Sequence, residues 1–151
     1  MQKNAINSGT YKILTGILAN TYILFTKVRN YHVNFIWWDF VEKHTLLWDW
    51  KDSLYWEIDT IAEQIRKCWG ISPMSMDDFK TMWIIKEATA KLVTSPEVMN
   101  DLYNDLCVLD AWITKSLPLL NDDLITQNML IEIRTSHDKI KWFIRSIQWQ
   151  V

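Results

Sequence analysis

The chain has 151 residues, 49% of them hydrophobic and 23% charged, which is typical of one globular domain and excludes a disordered chain. Three Gly and three Pro supply too few turns for an all-β fold, so the composition favours helices. A formal net charge of −2 argues against strong electrostatic binding to DNA phosphates. No apolar run approaches the roughly 18 residues that a membrane span requires.

The cysteine content and the first residues indicate the compartment. Cys68 and Cys107 are too few for a disulfide framework, and neither lies in a zinc-binding pattern. No charged start followed by an apolar segment marks a secretory signal. We therefore expect a soluble protein of the cytoplasm.

Two long helices are predicted in the first half of the chain. Apolar residues recur at helical spacing over 10–36, which indicates a long amphipathic helix. Asp39 and Glu42 have the spacing of a capping box and open a second helical pattern that closes at Gly70. Because so few residues separate the two patterns, the helices should be antiparallel neighbours.

The second half adds one short and two long helices. Ser75 with Asp77 and Asp78 would cap a short helix in a long connection, and a third long helix starts at 95–97 with Pro at its first position. Pro118 ends that helix, and a fourth follows from about 122. Four long helices with one long crossover predict an all-α, ferritin-like four-helix bundle, with 1–151 as a single domain.

Four side chains stand out as candidate metal ligands. Asp59 and Glu63 lie four positions apart and share one face of the second helix, whereas His32 and His44 lie at similar distances on either side of the turn. A solvated helix face and structural histidines would also explain them. His44 and Asp59 are fifteen positions apart, about 22 Å along one helix, so a shared metal needs two subunits.

The segments LANTYILFTKVRNYHVNFIWWDFVEKHTLLW, EIDTIAEQIRK and SHDKIKWFIRS resemble the Dps (DNA-binding protein from starved cells) or mini-ferritin family over essentially the whole chain. That family binds two irons at a dyad between subunits, with histidines from one chain and Asp and Glu from the other. The resemblance implies that His32, His44, Asp59 and Glu63 are the iron ligands. It further implies Fe(II) oxidation, usually by peroxide, and storage of ferric mineral in a shell of twelve identical subunits.

The sequence departs from this family at one expected ligand. The family places Asp or Glu four residues after the second histidine, where this chain has Trp48. Asp52, one turn further along on the same face, is a possible substitute ligand. Five of the ten tryptophans fall on the hairpin formed by the first two helices, and we interpret them as an altered assembly interface: Trp37, Trp38, Trp48, Trp50 and Trp56. Core filling by these indoles is the alternative.

Three functions therefore stand as hypotheses. The first is a mini-ferritin that binds, oxidises and stores iron, with activity impaired by the loss of a carboxylate at position 48. The second is a Dps-type assembly protein with a remade Trp-rich interface and little or no ferroxidase activity. DNA protection is the weakest, given the charge. The resemblance also makes Asp122, Asp123 and Glu132 candidates for an iron-entry pore, although helix capping and solvation explain them equally well.

Overall fold

A computed structural model describes residues 7–120 and 122–148 of the chain. Of these described residues 78% are helical, and they contain no strand beyond an isolated bridge between Phe35 and Val93. The helices are α1 (Ser8–Asn34), α2 (Phe40–Lys67), α3 (Met76–Phe79), α4 (Ser95–Ser116) and α5 (Leu124–Gln148), and a 3-10 turn (Leu117–Leu120) joins α4 to α5. The predicted bundle and its short crossover helix are confirmed.

The core lies between the four long helices, and α1 contributes most to it. Leu14, Ile17 and Leu18 of α1 are fully buried, as are Ile61 of α2 and Leu109 of α4. Burial of a Leu or Ile side chain contributes about 1.5–3 kcal/mol, so these residues hold the helices together. None of the helices in the described part of the chain combines the length and apolar character needed to cross a bilayer.

The helix starts differ in how they are capped. Ser75 accepts a hydrogen bond from the Asp78 N–H at 3.1 Å, which confirms the predicted cap of α3. The capping box predicted at Asp39 is wrong, because the Asp39 side chain makes no capping hydrogen bond. Its Oδ2 instead lies 3.3 Å from Nζ of Lys43, one turn into the helix, and this ion pair draws the carboxylate away from the helix N–H groups.

The C-terminal end of α2 differs from the prediction that this helix closes at Gly70. The helix ends at Lys67, and Trp69 takes the left-handed conformation (φ 68°) that a C-terminal glycine usually adopts. Gly70 has an ordinary φ, but its N–H donates to the Ile65 carbonyl at 2.9 Å. A Cβ at this position would lie 2.9 Å from Ile65 Cγ2, so Gly70 is needed for close approach to the helix rather than for turn conformation.

Candidate metal centre

The turn between α1 and α2 brings His32 and His44 face to face. Their ring centroids are 3.7 Å apart, and the rings are stacked at 28°. His32 Nδ1–H donates to the His44 carbonyl, and His44 Nδ1–H donates to the His32 carbonyl, both at 3.0 Å. Two reciprocal hydrogen bonds thus fix both ring orientations, and they lock the last turn of α1 to the second turn of α2.

These bonds also determine which nitrogen can bind a metal. A carbonyl oxygen only accepts, so Nδ1 carries the proton in each neutral ring and the lone pair lies on Nε2. Burial lowers the pKa of His32, and the nearby charges of His44 and Lys51 lower it further against the opposing bond to the His44 carbonyl. His32 therefore remains neutral at physiological pH, which is the form that coordinates metals.

Trp48 lies beside the histidine pair. Its ring centroid is 5.4 Å from that of His32, and Lys51 Nζ lies 3.4 Å from the centre of the indole. Lys51 is also paired with Asp52 at 2.9 Å, so the proposed substitute ligand is engaged by a cation. An indole offers one N–H donor and no metal ligand. Near the histidines this chain therefore presents aromatic surface and a positive charge.

Asp59 and Glu63 lie on the outward side of α2 and are exposed. Glu63 pairs with Lys67 at 3.2 Å, and both side chains of this pair are largely exposed. Within one chain, no three His, Cys, Asp or Glu side chains among residues 7–120 and 122–148 are arranged to hold a metal ion. The carboxylates and the imidazoles therefore stay apart in the single chain, as the helical distance requires.

The acidic residues considered for a pore have different surroundings. Asp123 caps α5, because its Oδ1 accepts the Thr126 N–H at 3.0 Å and its Oδ2 accepts the Thr126 hydroxyl at 2.6 Å. Capping thus accounts for Asp123 within one chain. Asp122 and Glu132 are exposed, and their assignment to a pore stays a prediction because a pore requires several subunits.

The tryptophans of the proposed interface do not form one group. Trp50 is only 5% exposed and packs in the core, so its assignment to an assembly surface is wrong and the core-filling alternative holds for this residue. Trp37, Trp38, Trp48 and Trp56 are exposed to between 43% and 87%. Helical periodicity separates Trp50 from Trp48 by about 200°, which explains the difference.

Sequence reasoning missed a buried charge network in the bundle. His137 of α5 is fully buried, and its ring bridges Asp110 Oδ1 of α4 at 2.7 Å and Glu57 Oε2 of α2 at 2.9 Å. Lys141 Nζ donates to the second oxygen of Asp110 and lies 2.7 Å from Asp138. The only signal in the sequence was polar residues at positions where the helical pattern expects apolar ones.

The amino-acid sequence of the chain is similar to those of several known proteins. No protein-family model matches the chain. It is 26% identical to antigen TpF1 of Treponema pallidum, over 84% of this chain and 73% of that protein. It is also 26% identical to DNA protection during starvation protein 2 of Bacillus anthracis, over 93% of this chain and 97% of that protein. An uncharacterised low temperature-induced protein of a Nostoc strain shares 26% identity, over 91% of this chain and 79% of that protein.

Solved structures show the same fold. Antigen TpF1 superimposes with a TM-score of 0.89 at 22% identity, covering 97% of this chain and 98% of that one. A Dps protein from Bacillus brevis gives a TM-score of 0.88 at 23% identity, covering 92% and 94% of the two chains. A Dps protein from Vibrio cholerae, described as a member of a broad superfamily of ferritin-like diiron-carboxylate proteins, gives 0.87 at 22% identity, over 92% and 88%.

The chain is thus a ferritin-like helical bundle. More closely, its fold is that of the Dps proteins, and the predicted resemblance to the Dps or mini-ferritin family is confirmed.

Proposed function

We propose that this protein binds Fe(II), oxidises it and stores the product within an assembly of identical subunits. The observation that carries the proposal is the histidine pair, whose mutual Nδ1–H bonds leave both Nε2 lone pairs for a metal. Asp59 and Glu63 of a second copy would supply the oxygen ligands. The likeness to proteins named for DNA protection during starvation and for diiron-carboxylate sites supports iron as the metal.

The proposed ligand set suits iron in both oxidation states. Imidazole nitrogens bind Fe(II), and carboxylate oxygens favour the harder Fe(III), so the mixed set promotes loss of an electron. Reduction of one peroxide molecule to water takes one electron from each of two ferrous ions. A closed assembly would keep the ferric product from precipitating outside.

Trp48 is expected to slow this reaction. It stands where the family resemblance places a carboxylate, and Lys51 brings a positive charge over its ring. The site would therefore have one oxygen ligand fewer and a cation near the incoming metal. This observation favours a second candidate function, an assembly protein of the same fold with little or no ferroxidase activity.

Iron oxidation tests the first function. Fe(II) with peroxide should produce ferric absorbance at a rate that falls at least tenfold in Glu63→Ala, because the substitution removes a proposed ligand. Glu87→Ala is the matched control, since Glu87 is an exposed glutamate outside the proposed site. Equal rates in the wild type and the Glu63 variant would exclude this site.

Trp48→Glu separates the two functions. If the missing carboxylate limits the site, the variant should bind iron more tightly and oxidise it faster, while Trp142→Glu, at an exposed position on α5, should not. A slow wild type whose rate is unchanged in the Trp48 variant would show that this position does not limit the site.

We also propose that the protein is a cytoplasmic homo-oligomer, with twelve subunits by family resemblance. We do not propose that it binds DNA. The net charge of −2 provides little attraction for phosphates. Light scattering measures the subunit number. A gel shift at low salt tests DNA binding, and a retarded band there would contradict this part of the proposal.

A further inference from the structure

A cavity of about 530 Å³ opens beside the turn between α1 and α2. This turn and the start of α2 form one wall, and the first residues of α4 and the last residues of α5 form the others. The apolar part of its lining includes Trp37, Pro96, Met99 and Ile147. A cavity of this size is typical of small-molecule sites. The four proposed metal ligands do not line it, so a ligand bound here would be separate from the proposed metal centre.

Backbone hydrogen bonds hold the turn in place. The Ile36 N–H donates to the Val93 carbonyl at 2.9 Å, and the Val93 N–H donates to the Asn34 carbonyl at 3.1 Å. These two bonds fasten the turn to the residues that precede α4. Within the turn, the Phe40 N–H donates to the Trp37 carbonyl at 3.1 Å. Because this wall is ordered without a ligand, binding does not carry the entropic cost of ordering it.

Asp39 brings an unpaired hydrogen-bond acceptor to the cavity. Its side chain is only 6% exposed. Oδ2 lies 3.3 Å from Lys43 Nζ, whereas Oδ1 is buried and has no hydrogen-bond partner among the described residues. A buried carboxylate oxygen without a donor is costly, so a ligand that supplies an N–H donor would relieve this cost. The carboxylate rotates over a broad range about Cβ–Cγ, and such a rotation turns Oδ1 toward a donor in the cavity.

The charges around the cavity favour a cation. Asp39 and Glu42 contribute two carboxylates, which also offset the positive end of the α2 dipole, and Lys43 is paired with one of them. The positive end of α4 is already engaged, because Glu97 Oε2 accepts the Thr94 N–H at 3.0 Å. The last turn of α5 adds the negative end of its own dipole. The described lining thus has one carboxylate more than it has ammonium groups.

We propose that this cavity binds a small organic ammonium ion, which is a protonated amine with an apolar body. The ammonium N–H groups donate to Asp39 Oδ1, and the apolar body packs against Met99 and Ile147. The indole faces of Trp37 and Trp38 attract the cation through their ring quadrupoles. This inference goes beyond the proposed iron chemistry, and it gives these two indoles a role in ligand binding instead of assembly.

Calorimetric titration of the full-length assembled protein, free of metal, tests the class of ligand. 2-Phenylethylamine, which is protonated at neutral pH, should bind at one site per subunit. Its N,N,N-trimethyl analogue, neutral 2-phenylethanol and anionic 3-phenylpropionate should each bind about tenfold more weakly or worse, because none of them offers a charged N–H donor to Oδ1. Absence of amine binding, as expected if another subunit covers the cavity, would overturn the proposal. Equally tight binding of the anion would overturn it as well.

Substitutions in the lining test the location of the site. Trp38→Ala should weaken amine binding about tenfold, whereas Trp142→Ala, which removes an exposed indole of α5, should leave it unchanged. Glu42→Gln should weaken binding several-fold, and Glu87→Gln is its matched control. All four of these positions are exposed, so the fold should tolerate the substitutions. Asp39→Asn should also weaken binding about tenfold. Amine binding that is unchanged in the Trp38 and Asp39 variants would refute this site.

Discussion

Raising the pH above neutrality should destabilise the bundle through one residue, His137. Its Nδ1–H donates to Asp110 and its Nε2–H donates to Glu57, so the ring is doubly protonated and ties α5 to α4 and α2. Burial alone would lower the pKa of His137, but the charge of Glu57 and the hydrogen bonds to both carboxylates raise it to about 9. In the unfolded chain the same ring titrates near 6.5.

The size of the effect follows from these two values. Because the folded-state pKa is raised, the stabilisation is complete below pH 6.5 and is lost as the pH rises through 9. Each pKa unit corresponds to about 1.36 kcal/mol, so the whole shift corresponds to about 3 kcal/mol of unfolding free energy. Full burial of His137 means that solvent screening does not reduce this figure.

Denaturant titrations at pH 6 and pH 9.5, followed by circular dichroism at one protein concentration, measure the effect. The unfolding free energy of the wild type should fall by about 3 kcal/mol more than that of His137→Gln between these pH values. His32→Gln is the control. Because the pKa of His32 is lowered, its contribution to the unfolding free energy changes below neutral pH, so this variant should lose stability between pH 6 and pH 9.5 as the wild type does. Equal falls in the wild type and His137→Gln would refute the charged state of His137.

Three further substitutions have predicted outcomes, all measured as unfolding free energies in denaturant. Gly16→Ala should cost about 1–3 kcal/mol because its Cβ would overlap the Trp112 ring. Gly9→Ala should cost less, because the nearest atom, Asn7 Oδ1, would lie 3.1 Å from the added Cβ. Asp123→Ala should cost about 1 kcal/mol through the lost cap of α5, whereas Asp123→Asn should retain most of the stability. Lys27→Met should cost about 3 kcal/mol because the buried ammonium pairs with Asp105 at 2.5 Å and Asp101 at 2.7 Å, and a cost near zero would contradict this role.

Much of the fold was predictable because it depends on short-range patterns. Periodic apolar residues identified all four long helices, and Ser75 and Pro96 marked the starts of α3 and α4. Local cues failed at both ends of α2. Lys43 draws Asp39 from its cap, and Trp69 takes the left-handed position expected of the following Gly70.

The spacing along α2 predicted that a metal shared by the histidines and the carboxylates would need two chains, and this stays a prediction. Helical rise alone separates His44 from Asp59 by about 22 Å, and the structure keeps them apart. The reciprocal His32–His44 bonds were not predictable, because they depend on the angle at which two helices meet. The position of the Lys51 ammonium over the Trp48 ring was not predictable either.

By itself, the sequence determined four helices, their antiparallel first pair and the set of possible metal ligands, since each depends on spacing along one helix or across one short turn. Only the tertiary structure decided that Trp50 is a core residue and that Glu57, Asp110 and His137 meet inside the bundle. These three come from helices remote in the chain. Their contact depends on how the helices rotate about their axes when they pack, which no local pattern specifies.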